Sequence, residues 1–202
     1  VGLERAGFRC VYSCEIDPVL FAKALQRVGR QIRKENSVKV YFLPSPGFLH
    51  LICRHNQLGF IDIGEYPLFF LDAHNSGNWP ISQELEALKG FERCLIVIHD
   101  FKVPDSNLGH LSYEGQDLDL EYVYNKLMAI NPHFYLYHNT RRNTEIFTKE
   151  EVERGVGVPW DNDTEAVLEY AWSKPLRTYR GVLYAVPREL DDSFGVVPWN
   201  MG

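Results

Sequence analysis

Short apolar runs alternate with amphipathic stretches along most of the chain. FRCVYSCEID (8–17), VKVYFLP (38–44), YPLFFLDA (66–73), CLIVIHDF (94–101), HFYLYHN (133–139) and RGVLYAVP (180–187) read as strands. Between them, PVLFAKALQRVGRQI (18–32), GFLHLICRHN (47–56), SQELEALKGF (82–91) and LDLEYVYNKLMAI (118–130) read as helices. Pro18 suits a first helical turn, and Asn131-Pro132 stops the last of these helices. VGLERAG (1–7) reads as the end of a further helix, with Gly7 as its stop. Continuous apolar strands separated by helices predict an α/β, Rossmann-like fold: a mostly parallel sheet with helices on both faces. No internal repeat or low-complexity tract interrupts it, so residues 1–202 are expected to form a single domain. The stretch 141–179 is irregular and is expected to serve as a lid or a subunit contact, the latter leaving room for a homo-oligomer.

Composition narrows the classes. With 202 residues, 45% of them hydrophobic, the chain can bury one full core and hardly two. A formal net charge of −6 offers no basic face to a nucleic-acid backbone, and the local run RQIRKENSVK (30–39) reads as a solvated helix end. Cys10, Cys14, Cys53 and Cys94 show no CxxC spacing and read as buried free thiols of a reducing, cytoplasmic compartment. No signal peptide is visible, and no apolar run approaches the roughly 18 residues of a membrane span.

The chemistry-bearing residues gather at strand tips. Glu15 and Asp17 follow VYSC, Asp72 and His74 follow LFFL, and His99-Asp100 closes LIVI. In open α/β sheets ligands sit outside the carboxyl ends of the strands, and neighbouring strands are about 4.8 Å apart. Acids at adjacent tips can therefore share one ion or one substrate. The plainer alternative is helix capping, yet the helix after Asp72 begins only near Ser82 and the loop after Asp100 is longer still. Glu15 suits the acid that hydrogen-bonds ribose hydroxyls, about 20 residues after a Gly-rich turn. That count runs off the start of the chain, so a Gly-rich loop and its strand are expected before Val1.

On these residues the sequence resembles the class I S-adenosylmethionine-dependent methyltransferases. VYSCEIDP looks like their acidic second-strand motif. LDAHNSGNWPISQEL followed by LIVIHDF is similar to the paired motif of metal-dependent sugar and small-molecule O-methyltransferases. The resemblance implies S-adenosylmethionine as cofactor, bound by Glu15, Ile16, Ser45 and Asp72. It implies Asp72, His99 and Asp100 as ligands of a divalent metal, with His74 as general base beside a catalytic Asp72. His99 in place of an acid makes Mg²⁺ less secure than Mn²⁺ or Fe²⁺. Trp79, His110 and Tyr113 would border a sugar or small-molecule acceptor, or simply pack the core. GLERAGFRCVYSCEIDP also resembles the DNA cytosine-5 methyltransferases, but this chain has no Pro-Cys nucleophile. DAH starts like the arginase and calcineurin-like metal motifs, whose further acids and GNH are missing. The rival expectation is a methyltransferase-like module that binds or assembles without catalysis.

Overall fold

The computed structural model describes residues 10–31, 37–74, 79–106, 108–139 and 180–193. The expected helix at 1–7 and the expected lid or subunit contact at 141–179 lie outside the described residues.

Strand β1 (Cys10–Glu15) leads into helix α1 (Pro18–Gln31) through Asp17, whose Oδ1 accepts the backbone N–H of Val19 at 2.7 Å and of Leu20 at 3.0 Å. Asp17 is thus the N-cap of α1, with Pro18 supplying the fixed φ of the first turn. Strand β2 (Ser37–Phe42) pairs parallel with β1 and is followed by α2 (Ser45–Gln57). Adjacent residues of β2 face opposite ways: Phe42 meets Phe21 of α1 at 5.2 Å, and Tyr41 meets Phe48 of α2 at 5.4 Å between ring centroids. The two helices therefore cover opposite faces of this strand pair.

A second sheet holds β3 (Leu68–Leu71), β4 (Leu95–His99), β7 (Phe134–His138) and β8 (Val182–Pro187), in the order β3-β4-β8-β7. Only β3 and β4 are parallel neighbours, because β8 runs antiparallel between β4 and β7. The fold is mixed α/β with small open sheets, and the continuous, mostly parallel sheet expected from the apolar runs is not what the described residues form. An apolar run such as GVLYAVP reads the same in either direction, so the pattern could not give the orientation of β8. A small antiparallel hairpin, β5 (Ser112–Tyr113) with β6 (Gln116–Asp117), went unforeseen; two-residue strands carry no period to detect.

Helices α2, α3 (Ile81–Ala87) and α4 (Leu120–Met128) share one core with the sheets. Ile52, Leu85, Val123 and Leu127 from the helices meet Phe69, Leu71, Ile96, Ile98 and Leu183 from the strands, while Tyr12 and Cys14 of β1 pack at its margin. Asp119 caps α4 by accepting Tyr122 N–H at 3.0 Å. After its last turn, buried Asn131 donates to the Glu92 carbonyl and accepts His133 N–H, each at 2.8 Å. Gly181 lies so close to β4's exit that a Cβ there would stand 1.8 Å from the Phe101 carbonyl oxygen. Among the described residues no helix is long and apolar enough to cross a membrane.

Candidate functional site

The register Leu71↔Ile98 in the β3–β4 pair places the next residues, Asp72 and His99, side by side as the strands end. Asp72 Oδ1 and His99 Nδ1 are 2.8 Å apart. This hydrogen bond to Asp72, ahead of the nearby carboxylate charges, raises the His99 pKa above its ordinary value, against the opposing pull of burial and of Arg180. Asp72 caps nothing, since the residue before α3 is Pro80 and no side chain caps that helix. Asp100 caps nothing either. It turns the chain away from β4 with φ 58°, a conformation unusual outside glycine, and its backbone carbonyl accepts Leu111 N–H at 2.8 Å.

Asp100 is only 4% exposed. Its Oδ1 lies 2.7 Å from Arg180 Nε and 3.3 Å from His99 Nδ1, and its Oδ2 lies 3.9 Å from His74 Nε2. The Arg180 contact is an ion pair by distance, yet no hydrogen bond reaches Oδ1. Arg180 is carried to this place by the register His99↔Val182, which lays residues 180 and 181 beside the exit of β4. Its Nη1 donates to the His110 carbonyl at 3.2 Å, and Gly181 N–H to the Gly109 carbonyl at 2.8 Å, fastening that loop.

These groups open onto one pocket at the carboxyl ends of β3 and β4, lined among others by Asp72, His74, Trp79, Glu84, His99 and Asp100. Its cavity volume, about 20 Å³, has room for one water-sized group. Trp79 forms a wall, with ring centroids 5.3 Å from Tyr122 and 6.3 Å from Tyr113. Glu84, 1% exposed, is a floor acid. Burial pushes its pKa up to about 7 against a hydrogen bond with Ser45 that lowers it, and the Asp72 charge adds to the rise.

The structure thus brings together Asp72, His74, His99 and Asp100, as the sequence suggested. Ser45, at the start of α2, reaches the group through Glu84. Glu15 and Ile16 do not line the pocket: Glu15 Oε1 accepts Ile16 N–H at 2.8 Å and Asp17 N–H at 2.9 Å, and Ile16 stands 48% exposed at the tip of β1. His110 turns instead to the hairpin, its Nε2 3.4 Å from Asp117 Oδ1, where Lys102 and Ser112 also bind that carboxylate. None of the four cysteines is in a disulfide, as expected, but only Cys53 and Cys94 are buried; Cys10 is exposed and Cys14 half-buried. Burial raises the thiols of Cys14 and Cys53 to about 11 and of Cys94 to about 12, so they supply no thiolate near neutral pH.

Two members of the site were missed in the sequence. Glu84 shares the spacing of Ile81, Leu85 and Leu88, the buried face of its helix, and an acid at an apolar-face position was a readable sign. Arg180 had no such sign, because only the insertion of β8 beside β4 brings it near. No protein-family model, curated protein or solved structure matches the chain.

Proposed function

We propose that the chain is an S-adenosylmethionine-dependent methyltransferase domain that transfers a methyl group to a hydroxyl of a sugar or other small molecule, with a divalent cation at Asp72, His99 and Asp100. The observation that carries this reading is the convergence of those three side chains and His74 at the carboxyl tips of two adjacent parallel strands, where open α/β sheets bind ligands.

Connectivity supports the finer, doubly wound fold. Parallel crossovers are almost always right-handed. With α1 and α2 on opposite faces, the path β1→β2→β3 must reverse direction after β2. In a doubly wound chain β3 would then lie on the β1 side, with a topological switch point between the edges of β1 and β3 that their own sheets leave unpaired. The hydrogen bond between Ser45 and Glu84, the influence of Glu84 on Cys14 and that of Asp72 on Glu84 agree with tips on one rim.

The residues fit a cation. One ligand atom each from Asp72, His99 and Asp100 lies within 4.8 Å of the others, near the spread expected around an ion with bonds of about 2.0–2.2 Å. The buried Asp100 Oδ1 also lacks a hydrogen bond that such an ion would replace. A bound divalent cation would polarise the acceptor hydroxyl and ease its ionisation. His74, at the open side of the pocket and 3.9 Å from Asp100 Oδ2, takes the hydroxyl proton. On the cofactor side, Glu15 is held by two backbone N–H groups as an acceptor for ribose hydroxyls, and exposed Ile16 offers an apolar surface to the base. Displacement at a sulfonium methyl is in-line, so holding the two reactants is much of the remaining work.

The non-catalytic binding module also has one observation in its favour: Arg180 already sits 2.7 Å from Asp100 and neutralises the acid that a cation would use. Calorimetry on the full chain separates the readings. Methyltransferase function expects binding of S-adenosylhomocysteine and of Mn²⁺, the latter weakened about tenfold or more by Asp100→Asn, a substitution compatible with positive φ. Binding of S-adenosylhomocysteine without Mn²⁺ binding or turnover favours the module. Neither heat nor thermal shift with either ligand ends the proposal.

A further inference from the structure

Arg180 and the proposed cation call on the same oxygen. Asp100 Oδ1 lies 3.3 Å from His99 Nδ1, so it is the oxygen turned toward the pair of Asp72 and His99, and it lies 2.7 Å from Arg180 Nε. A divalent ion at this cluster would stand roughly 2.0–2.2 Å from each ligand atom, and therefore close to the guanidinium. Like charges sharing a carboxylate whose side chain is 5% exposed are weakly screened by solvent and salt. Oδ1 cannot hold both at full strength.

The way Arg180 is held shows which part of it gives way. Its backbone is fixed: Asn139 Nδ2 donates to the Arg180 carbonyl at 2.9 Å, and Asn139 Oδ1 accepts Val182 N–H at 2.8 Å. Gly181 beside it bonds the loop at Gly109 and the exit of β4 at Phe101. The side chain is freer, with 39% exposure, and its Nε comes close to Oδ1 without directing a hydrogen bond onto it. That contact is charge at short range, not the two-pronged fork by which arginine holds a carboxylate most firmly. The other hold, from Nη1 to the His110 carbonyl at 3.2 Å, is to a neutral acceptor outside the cluster. A buried carboxylate needs a counter-charge before any ligand arrives, and Arg180 supplies it.

We propose that Arg180 is an exchangeable counter-ion of Asp100, which neutralises the acid before a divalent cation binds and swings off Oδ1 when one does. This rests on the cation site of the preceding reading and adds its regulation. Arg180 sets the cation concentration at which the site loads, because each binding event must first break the ion pair.

The experiment is Mn²⁺ calorimetry at fixed pH on the full chain, with Arg180→Gln and Arg180→Lys beside the parent. Arg180→Gln removes the competing charge and should tighten Mn²⁺ binding by about tenfold or more. Arg180→Lys keeps the charge and should stay within about threefold of the parent. An arginine that merely shaped the site would give the opposite sign, with weaker binding to Arg180→Gln. Equal or weaker binding to that variant overturns the exchange, as does equal tightening by Arg180→Lys. Either result leaves the methyltransferase reading standing, because the parent's own binding of Mn²⁺ and S-adenosylhomocysteine is a separate measurement. Mn²⁺ binding to Arg180→Gln but not to the parent supports the exchange and removes the cation from the proposed reaction. If none of the three binds Mn²⁺, the exchange falls together with the cation site. A second measurement needs no variant that could misfold. During titration of the parent with diamagnetic Zn²⁺, the Nε–Hε NMR signal of Arg180 should move to the position of a solvent-exposed arginine. A signal that stays in place while the cation binds also overturns the exchange.

Discussion

His99 Nδ1 stands 2.8 Å from Asp72 Oδ1, and this contact joins the tips of β3 and β4 into a single polar centre. It also decides where a proton rests. With a carboxylate facing Nδ1, the imidazole keeps its proton to higher pH than a free histidine would.

Removing that carboxylate charge should undo the effect. Asp72→Asn is expected to bring the His99 pKa back toward about 6.5, followed through its imidazole NMR signals across pH. A raised folded-state pKa contributes stability that is fully present below the unfolded value and is lost as pH rises through the folded one. The variant should therefore be less stable than the parent near pH 6 and approach it at higher pH. Because the pair is partly exposed, the difference should stay below about 1 kcal/mol. An unchanged His99 titration would mean that Asp72 does not hold the ring.

Glu84 has the same sign with a larger magnitude. Its folded pKa of about 7, against the model-peptide 4.5, means that the folded state binds the proton more tightly. Stability is then greatest below the unfolded value and declines as pH rises from there to about 7, by on the order of 3 kcal/mol. Glu84→Gln carries no such proton. Urea unfolding should find the variant near the parent at pH 5 and more stable than it at pH 8. A variant that loses stability at pH 8 would show that an ionised Glu84 is well compensated within the fold.

Gly181 is required by contact, not by backbone freedom. Adding a Cβ there places it 1.8 Å from the Phe101 carbonyl oxygen, whose residue donates its own N–H to the Gly181 carbonyl at 2.9 Å. Gly181→Ala should cost more than about 3 kcal/mol, since backbone atoms cannot rotate aside as a side chain can. Thermal unfolding at the parent's temperature would contradict this close approach.

The strand tips were legible because they combine two local signals. LFFL and LIVI are apolar enough to mark buried strands, and Asp72, His74, His99 and Asp100 break those runs at their ends with no nearby helix start to cap. Helix α1 was legible from its periodicity and from Pro18, a start signal acting within one turn, whereas Asp17, read among the strand-tip acids, proved to be its cap. Glu84 was half legible, an acid on the apolar stripe of its helix that only a test of spacing would have singled out.

By itself the sequence determined where the longer strands and helices lie, which residues end β3 and β4, and that Asp72 and Asp100 are poorly placed to cap a helix, since all of these follow from interactions within a few residues. Tertiary structure alone decided that β8 runs backward between β4 and β7, that Arg180 consequently meets Asp100, and that Ser45 and Asp72 both bear on one buried Glu84. Those contacts join residues far apart in the chain, and their partners are chosen by strand order and packing, which leave no period in the local pattern of apolar and polar positions.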